Sequence, residues 1–231
     1  MKKQLLIVAS FLIITIIGCN NKNGSQNKEI NKLDKVDKIE EESADDDKEI
    51  DTLRLISWRS HLAWRGSSSV NSHSGKIIID SGYVVLNKKK KILGGKFFLN
   101  MNSITVADLK GEEKEILENH LKGHTKEKED HFFNSKKYPT AVFEVTNNFI
   151  EDNENLLEGD LTLKGTKDYV EAFPIAFSKE AGKLILSSEN FDIDRTRWGV
   201  NYASSSIYDD LKDEIIRDFI KVRIKVYFDY N

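Results

Sequence analysis

Three histidines stand close together in the chain, His120, His124 and His131. Two imidazoles four residues apart share one face of a helix and can offer nitrogens to a zinc ion. The glutamate of an HExxH arrangement is missing, no cysteine stands nearby, and Gly123 between the first two is a helix stop signal. Ligand spacing without partners that orient the rings is weak ground for a metal site, so none is expected. Ser67-Ser68-Ser69 and Ser204-Ser205-Ser206 carry hydroxyls, but nothing in the sequence sets a base beside them, as a nucleophile requires. There is no glycine-rich phosphate loop, no nucleophile elbow and no CxxCH for covalent haem. Glu112-Glu113 and Asp209-Asp210 are adjacent in sequence, so on a helix their side chains diverge. These absences point away from an enzyme and from a bound cofactor.

Cys19 is the one cysteine of the chain, which rules out an internal disulfide. Lys2 and Lys3 precede an apolar stretch, Leu5 to Ile17, and Gly18 stands just before the cysteine. A charged start, a short apolar region and a small residue before a cut make a secretory leader, and the run is too short to span a bilayer. The context Ile16-Ile17-Gly18-Cys19 resembles a lipobox, in which Cys19 is acylated and becomes the first residue of the mature chain. Lipidation also explains an unpaired thiol in an exported protein. The expectation is a leader over residues 1–18, an acylated Cys19 at the head of a disordered charged tether over 19–51, and a folded domain over 52–231. Asn20 in place of an aspartate after the cysteine favours the outer membrane. Loss of Lys2 and Lys3 with the leader takes the net charge from −3 to −5, a balance that argues against nucleic acid as a partner.

The tether has no aromatic residue and carries acidic runs at Glu40-Glu41-Glu42 and Asp45-Asp46-Asp47, a composition that cannot bury enough surface to order itself. Beyond it the pattern changes. Ile220, Val222, Ile224, Val226, Phe228 and Tyr230 alternate with mostly polar residues, the period of a strand with one wet face. The same period runs through Phe97, Leu99 and Met101, through Ala141, Phe143 and Val145, and through Leu161 and Leu163. It continues in Phe173, Ile175 and Phe177, in Leu184 and Leu186, and in Phe191 and Ile193. Turn residues punctuate these runs at Ser81-Gly82, Gly94-Gly95, Asp152-Asn153, Lys164-Gly165 and Ala181-Gly182. Residues 108–121 have helical spacing with Asp108 as N-cap, and residues 208–216 a weaker form of it. Many short alternating strands with one or two short helices describe an all-β fold, an antiparallel barrel of about eight strands.

The inward set of such a barrel is Phe97, Leu99, Met101, Phe143, Val145, Leu161, Leu163, Phe191, Ile193, Val222 and Ile224. These side chains either fill the barrel or line a cavity for one apolar ligand, and a barrel of this size accommodates both. Arg195 follows Phe191 and Ile193 at period two and so points to the same side. A guanidinium there grips a head group at the mouth or pairs with a carboxylate of the protein, the commoner fate of buried charge.

The segments Trp64-Arg65-Gly66, His73-Ser74-Gly75, Leu93-Gly94-Gly95-Lys96-Phe97 and Asn100-Met101-Asn102-Ser103-Ile104 together resemble the YceI-like family. So do His120-Leu121-Lys122-Gly123, His131-Phe132-Phe133-Asn134, Lys137-Tyr138-Pro139-Thr140-Ala141, Glu158 to Gly165 and Phe191-Asp192-Ile193-Asp194-Arg195. The resemblance spans residues 52–231, and it is the joint order of the pieces that is specific. It departs from the family at His131 and Asn134, which stand where aspartates are usual, and in the extra residues His124 to Asp130. The resemblance implies a lipocalin-like barrel of the periplasm or membrane. Such a barrel would bind a long apolar amphiphile non-covalently, a polyisoprenoid, isoprenoid quinone or fatty-acyl derivative, in the cavity lined by the residues named above. The alternative is a packed, ligand-free barrel that serves as an interaction module of the cell envelope.

Overall fold

The structure, a computed structural model, describes residues 50–209, 211 and 215–230. The expected leader, Cys19 and the tether as far as residue 49 lie outside the described residues. Among the described residues the strands are β1 (Asp51–Arg54), β2 (His61–Ser67), β3 (Ser72–Leu86), β4 (Ile92–Asn100) and β5 (Thr105–Val106), followed by the helix α1 (Gly111–Lys122). Then come β6 (Thr140–Glu151), β7 (Glu154–Leu163), β8 (Thr166–Glu180), β9 (Lys183–Ser188), β10 (Phe191–Asp194) and β11 (Phe219–Asp229).

Eight strands close a ring in the order β3-β2-β11-β9-β8-β7-β6-β4 and back to β3, every pairing antiparallel. Closure leaves the ring without an unpaired edge. β1, joined to β2 through a 3-10 turn at Ser57–Arg59, extends the line of β2 along β3, with Leu53 opposite Val84. β10 likewise extends the line of β9 along β11, with Phe191 opposite Val222. The ring pairings all fall within residues 61–229, so no residue outside 50–231 takes part in closing the barrel.

Three hairpin turns fall where the sequence places them. Asp152-Asn153 joins β6 to β7, Lys164-Gly165 joins β7 to β8, and Ala181-Gly182 joins β8 to β9. Both residues of each pair have positive φ, 48° and 65°, 51° and 81°, 47° and 74°, the two-residue turn whose twist matches antiparallel strands. Two expected turns are corrected. Ser81-Gly82 and Gly94-Gly95 lie inside β3 and β4. A Cβ on Gly82 would stand 2.5 Å from the Lys96 carbonyl oxygen, and one on Gly95 would stand 2.9 Å from that of Tyr83. These glycines let β3 and β4 approach closely, and the chain reverses between them in sequence, where Asn87 Oδ1 accepts from the Lys91 N–H at 2.9 Å.

The helix also starts later than its spacing suggests. α1 begins at Gly111 with Lys110 in the cap position. Asp108, the expected cap, instead accepts from the Ser74 N–H at 2.9 Å and pairs with His73 Nδ1 at 2.9 Å. It therefore ties the chain ahead of the helix to β3. Gly123 ends α1 with φ 72°, its N–H returning to the carbonyls of Asn119 and His120. The weaker helix expected near residue 208 is absent among the described residues there, 208, 209, 211, 215 and 216.

Candidate functional site

Because successive residues of a strand point to opposite faces, the inward half of each strand shares one enclosed space. In its upper part lies a cavity of about 270 Å3. β2 supplies Leu62 and Trp64 to its wall, β3 Ile77, β4 Leu99, β7 Leu161 and Leu163, β10 Ile193, and β11 Ile220 and Val222. Its roof is Met101 and Ile104 after β4, Leu117 and Leu121 of α1, and Phe132 and Phe133 of the following loop. Polar groups gather at one side, in the β2–β3 hairpin residues Ser67, Ser68 and Asn71 and in His73, Arg195 and Arg217. An apolar body with polar groups at its margin matches a molecule with a long tail and a small head.

Below it lies a second, separate space of about 50 Å3 whose wall shares Leu62, Leu99, Leu161 and Ile193 with the upper part. Aromatic rings occupy most of this level. Phe173 and Phe191 stack with centroids 3.9 Å apart and planes 5° apart, and Phe143 leans on Phe173 at 6.1 Å.

The residues expected to face inward divide between the two levels. Met101, Leu163, Arg195 and Val222 line the upper part. Phe97, Phe143, Phe191 and Ile224 line the lower part, and Leu99, Leu161 and Ile193 line both. Val145 also faces the core but lines neither level, at a point where a register shift between Val145 and Asn147 interrupts the pairing of β6 with β7. Several wall and roof residues were missed by the sequence reading. Leu62 with Trp64 and Ile77 with Ile79 carry the period-two signal in a weaker form, whereas Phe132 and Phe133 sit in a loop with no period to reveal them.

Arg195 opens a 3-10 turn, Arg195–Trp198, directly after β10. Only 1% of it is exposed, and its donors are spent on the protein. Nη2 donates to the Ile216 carbonyl at 2.9 Å and reaches Asp218 Oδ1 at 3.4 Å. Nε donates to the Arg217 carbonyl at 3.2 Å, and Nη1 to that of Val200. The guanidinium therefore holds the two loops that flank the mouth, and its place in the cavity wall follows from that. Trp198 acts beside it, with Nε1 donating to the Leu161 carbonyl at 2.7 Å.

The histidines separate. His120 of α1 faces His131 at 2.9 Å between Nε2 and Nδ1, and His131 stacks on Tyr202 with centroids 4.0 Å apart. His124 points elsewhere, its Nε2 3.2 Å from Ser135 Oγ. Burial, then the charges of His131 and Lys128, push His120 down to about 4, and burial also lowers His124 and His131. Among the described residues no group of three or more His, Cys, Asp or Glu side chains is placed to hold a metal ion. No described helix is long and apolar enough to cross a membrane.

Fold and cavity define a class, the closed antiparallel barrel with an apolar interior roofed by a single short helix. The family model of the YceI-like domain matches residues 57–228, and the chain belongs to that family. Among solved structures it is similar to BcnA of Burkholderia cenocepacia, with TM-score 0.57 and 16% identity over 75% of this chain and 98% of that one. It is also similar to a polyisoprenoid-binding domain from Saccharophagus degradans implicated in plant cell wall breakdown. That match has TM-score 0.53 and 10% identity over 79% of this chain and 100% of the other. At these identities the likeness is one of fold. Comparison with curated proteins gives no match.

Proposed function

We propose that this protein binds a lipid, holding one long apolar amphiphile in the barrel with its head group at the polar margin. The observation that carries this reading is the cavity of about 270 Å3, whose body is apolar and whose hydroxyl, amide and basic groups lie on one side. Each methylene withdrawn from water there contributes about 0.8 kcal/mol, so even part of a chain is held firmly. The volume is at the lower edge of ligand pockets, roughly 300–1,000 Å3. A long tail is therefore enclosed only in part, unless Phe143, Phe173 and Phe191 turn aside and join the lower space to the upper. The polyisoprenoid ligand in the name of the Saccharophagus domain supports an isoprenoid tail for this chain as well.

The lipobox-like context Ile16-Ile17-Gly18-Cys19 supports a placement in the cell envelope, with acylated Cys19 as anchor and the outer membrane as its site. A multiply acylated cysteine anchors stably where a single chain does not. The aromatic filling of the lower level favours a second reading, the packed barrel that serves as an interaction module.

Mass spectrometry of an organic extract from purified fragment 50–231 separates the two. A stoichiometric isoprenoid or acyl lipid is the expected result and names the ligand class. An extract without lipid, together with no uptake of added quinone or fatty acid, overturns the lipid reading and leaves the packed module.

A further inference from the structure

The end of the barrel that carries the cavity's polar margin also bears apolar side chains that the interior does not use. Val70 at the tip of the β2–β3 hairpin is 78% exposed and Phe219 at the start of β11 is 62% exposed, with Ile207 and Tyr208 exposed beside them. Hydrogen bonds gather these residues into one place. The Ser69 N–H donates to the Ile215 carbonyl at 2.9 Å and the Arg217 N–H to that of Ser67 at 2.8 Å. The Ile216 N–H donates to the Ala203 carbonyl at 2.8 Å, and Ser206 Oγ to Asp218 Oδ2 at 2.6 Å. Two of the three segments so joined also supply the cavity wall, with Ser67 and Ser68 from the hairpin and Ile216 and Arg217 from the chain before β11. Across the mouth, Ile116 of α1 is exposed next to the roof residue Leu117.

Exposed apolar groups gathered in one place mark a contact surface. These lie at the opening of an apolar cavity, and three exposed cations stand near Phe219: Lys221 on β11, Arg65 opposite it on β2, and Arg217 two residues before the strand. Apolar side chains flanked by cations suit the boundary where acyl chains meet phosphates. Asp192, 3.0 Å from Lys221 Nζ, and Asp209 keep the rim from being strongly basic, which fits a zwitterionic surface better than an anionic one.

We propose that this rim docks on a phospholipid bilayer, with Val70, Ile207 and Phe219 entering the head-group layer, so that the cavity mouth opens onto the membrane. The inference rests on the lipid-binding reading. In this pose a ligand passes between bilayer and barrel without crossing water, the step that otherwise exposes its whole tail.

The test floats fragment 50–231 with phosphatidylcholine vesicles and compares V70S/I207S/F219S with I150S. Ile150 is equally exposed but lies at the opposite end, beside the β6–β7 turn. The parent is expected to float, I150S to match it, and the triple variant to bind at least about tenfold more weakly with an unchanged thermal midpoint. Uptake of an added isoprenoid quinone is read separately in detergent micelles, where the triple variant is expected to equal the parent. A parent that stays in solution, a triple variant that floats like it, or I150S losing as much overturns the docking. Absence of uptake in micelles, with flotation intact, overturns the cavity reading instead and leaves the rim as a membrane contact.

Discussion

His120 Nε2 and His131 Nδ1 stand 2.9 Å apart, eleven residues apart in sequence, beneath the ring of Tyr202. One ring donates to the other, which requires a bare nitrogen on the acceptor. Protonating both sets two N–H groups and two positive charges face to face. Lys128 adds to the repulsion on both rings and Lys164 on His131, while Glu129 partly offsets it at His131. Phe132, which roofs the cavity, packs its edge against His120 with centroids 5.0 Å apart.

Stability is therefore expected to fall with acid. The folded protein holds His120 near 4 against 6.5 for an unperturbed histidine, so between those values the unfolded chain binds the extra proton. The contribution is present above about pH 6.5 and lost as pH falls towards 4, on the order of 1–2 kcal/mol after allowing for the partly solvated ring. Urea titrations at pH 7.5 and 4.5 measure it, and the H120Q variant is expected to flatten the difference. An equal slope in H120Q removes the pair as its source.

Replacing Arg195 is expected to cost far more than its single ion pair. R195M leaves the carbonyls of Val200, Ile216 and Arg217 without their donor and Asp218 without its cation, a loss of about 3–5 kcal/mol. R195K is expected to recover little, because one ammonium cannot reach what the planar fork reaches. Denaturant midpoints check this, and full recovery by lysine would show that charge alone matters.

Gly159 is expected to refuse a side chain. A Cβ there would lie 2.3 Å from the Glu144 carbonyl oxygen and 2.6 Å from Phe143 Cζ, both across the β6–β7 pairing. G159A should destabilise by about 1–3 kcal/mol. Gly182, whose Cβ would meet nothing within 4 Å but whose φ is 74°, tests backbone strain without crowding. G182A is expected to cost less than G159A, as read by thermal unfolding.

Phe191 is expected to control how deep a ligand goes. F191A removes one ring of the Phe173 stack and joins the lower space to the upper, at a cost of about 3–5 kcal/mol. Longer apolar tails should then gain affinity relative to short ones in a homologous fatty-acid series. An unchanged order of affinities would mean that the tail does not reach this level.

Much of the barrel can be read from one sequence, because a strand writes its two faces into consecutive residues. The alternation from Ile220 to Tyr230 identifies β11, and the pairs Asp152-Asn153, Lys164-Gly165 and Ala181-Gly182 announce hairpins through residues that take or tolerate positive φ. Phe97, Phe143, Leu161 and Ile193 face inward for the same local reason. Tyr227 shows where the rule ends. Its side chain belongs to the outer face, yet it is buried, because the connection from β1 to β2 crosses it and lays Arg59 4.2 Å over its ring.

The sequence by itself thus determined the all-β fold, the run of its later strands and most of the inward set, since these depend on neighbours one and two residues away. Only the tertiary structure decided the rest. Whether Gly82 and Gly95 turn the chain or bring two strands together depends on what lies across the sheet. Asp108 caps no helix because His73 and the Ser74 amide, thirty-odd residues earlier, claim its carboxylate. Arg195 faces the cavity but is spent on carbonyls that arrive from residues 200, 216 and 217, and His120 finds His131 in place of His124. Each of these outcomes is set by groups brought together when the ring closes, and no local pattern carries that information.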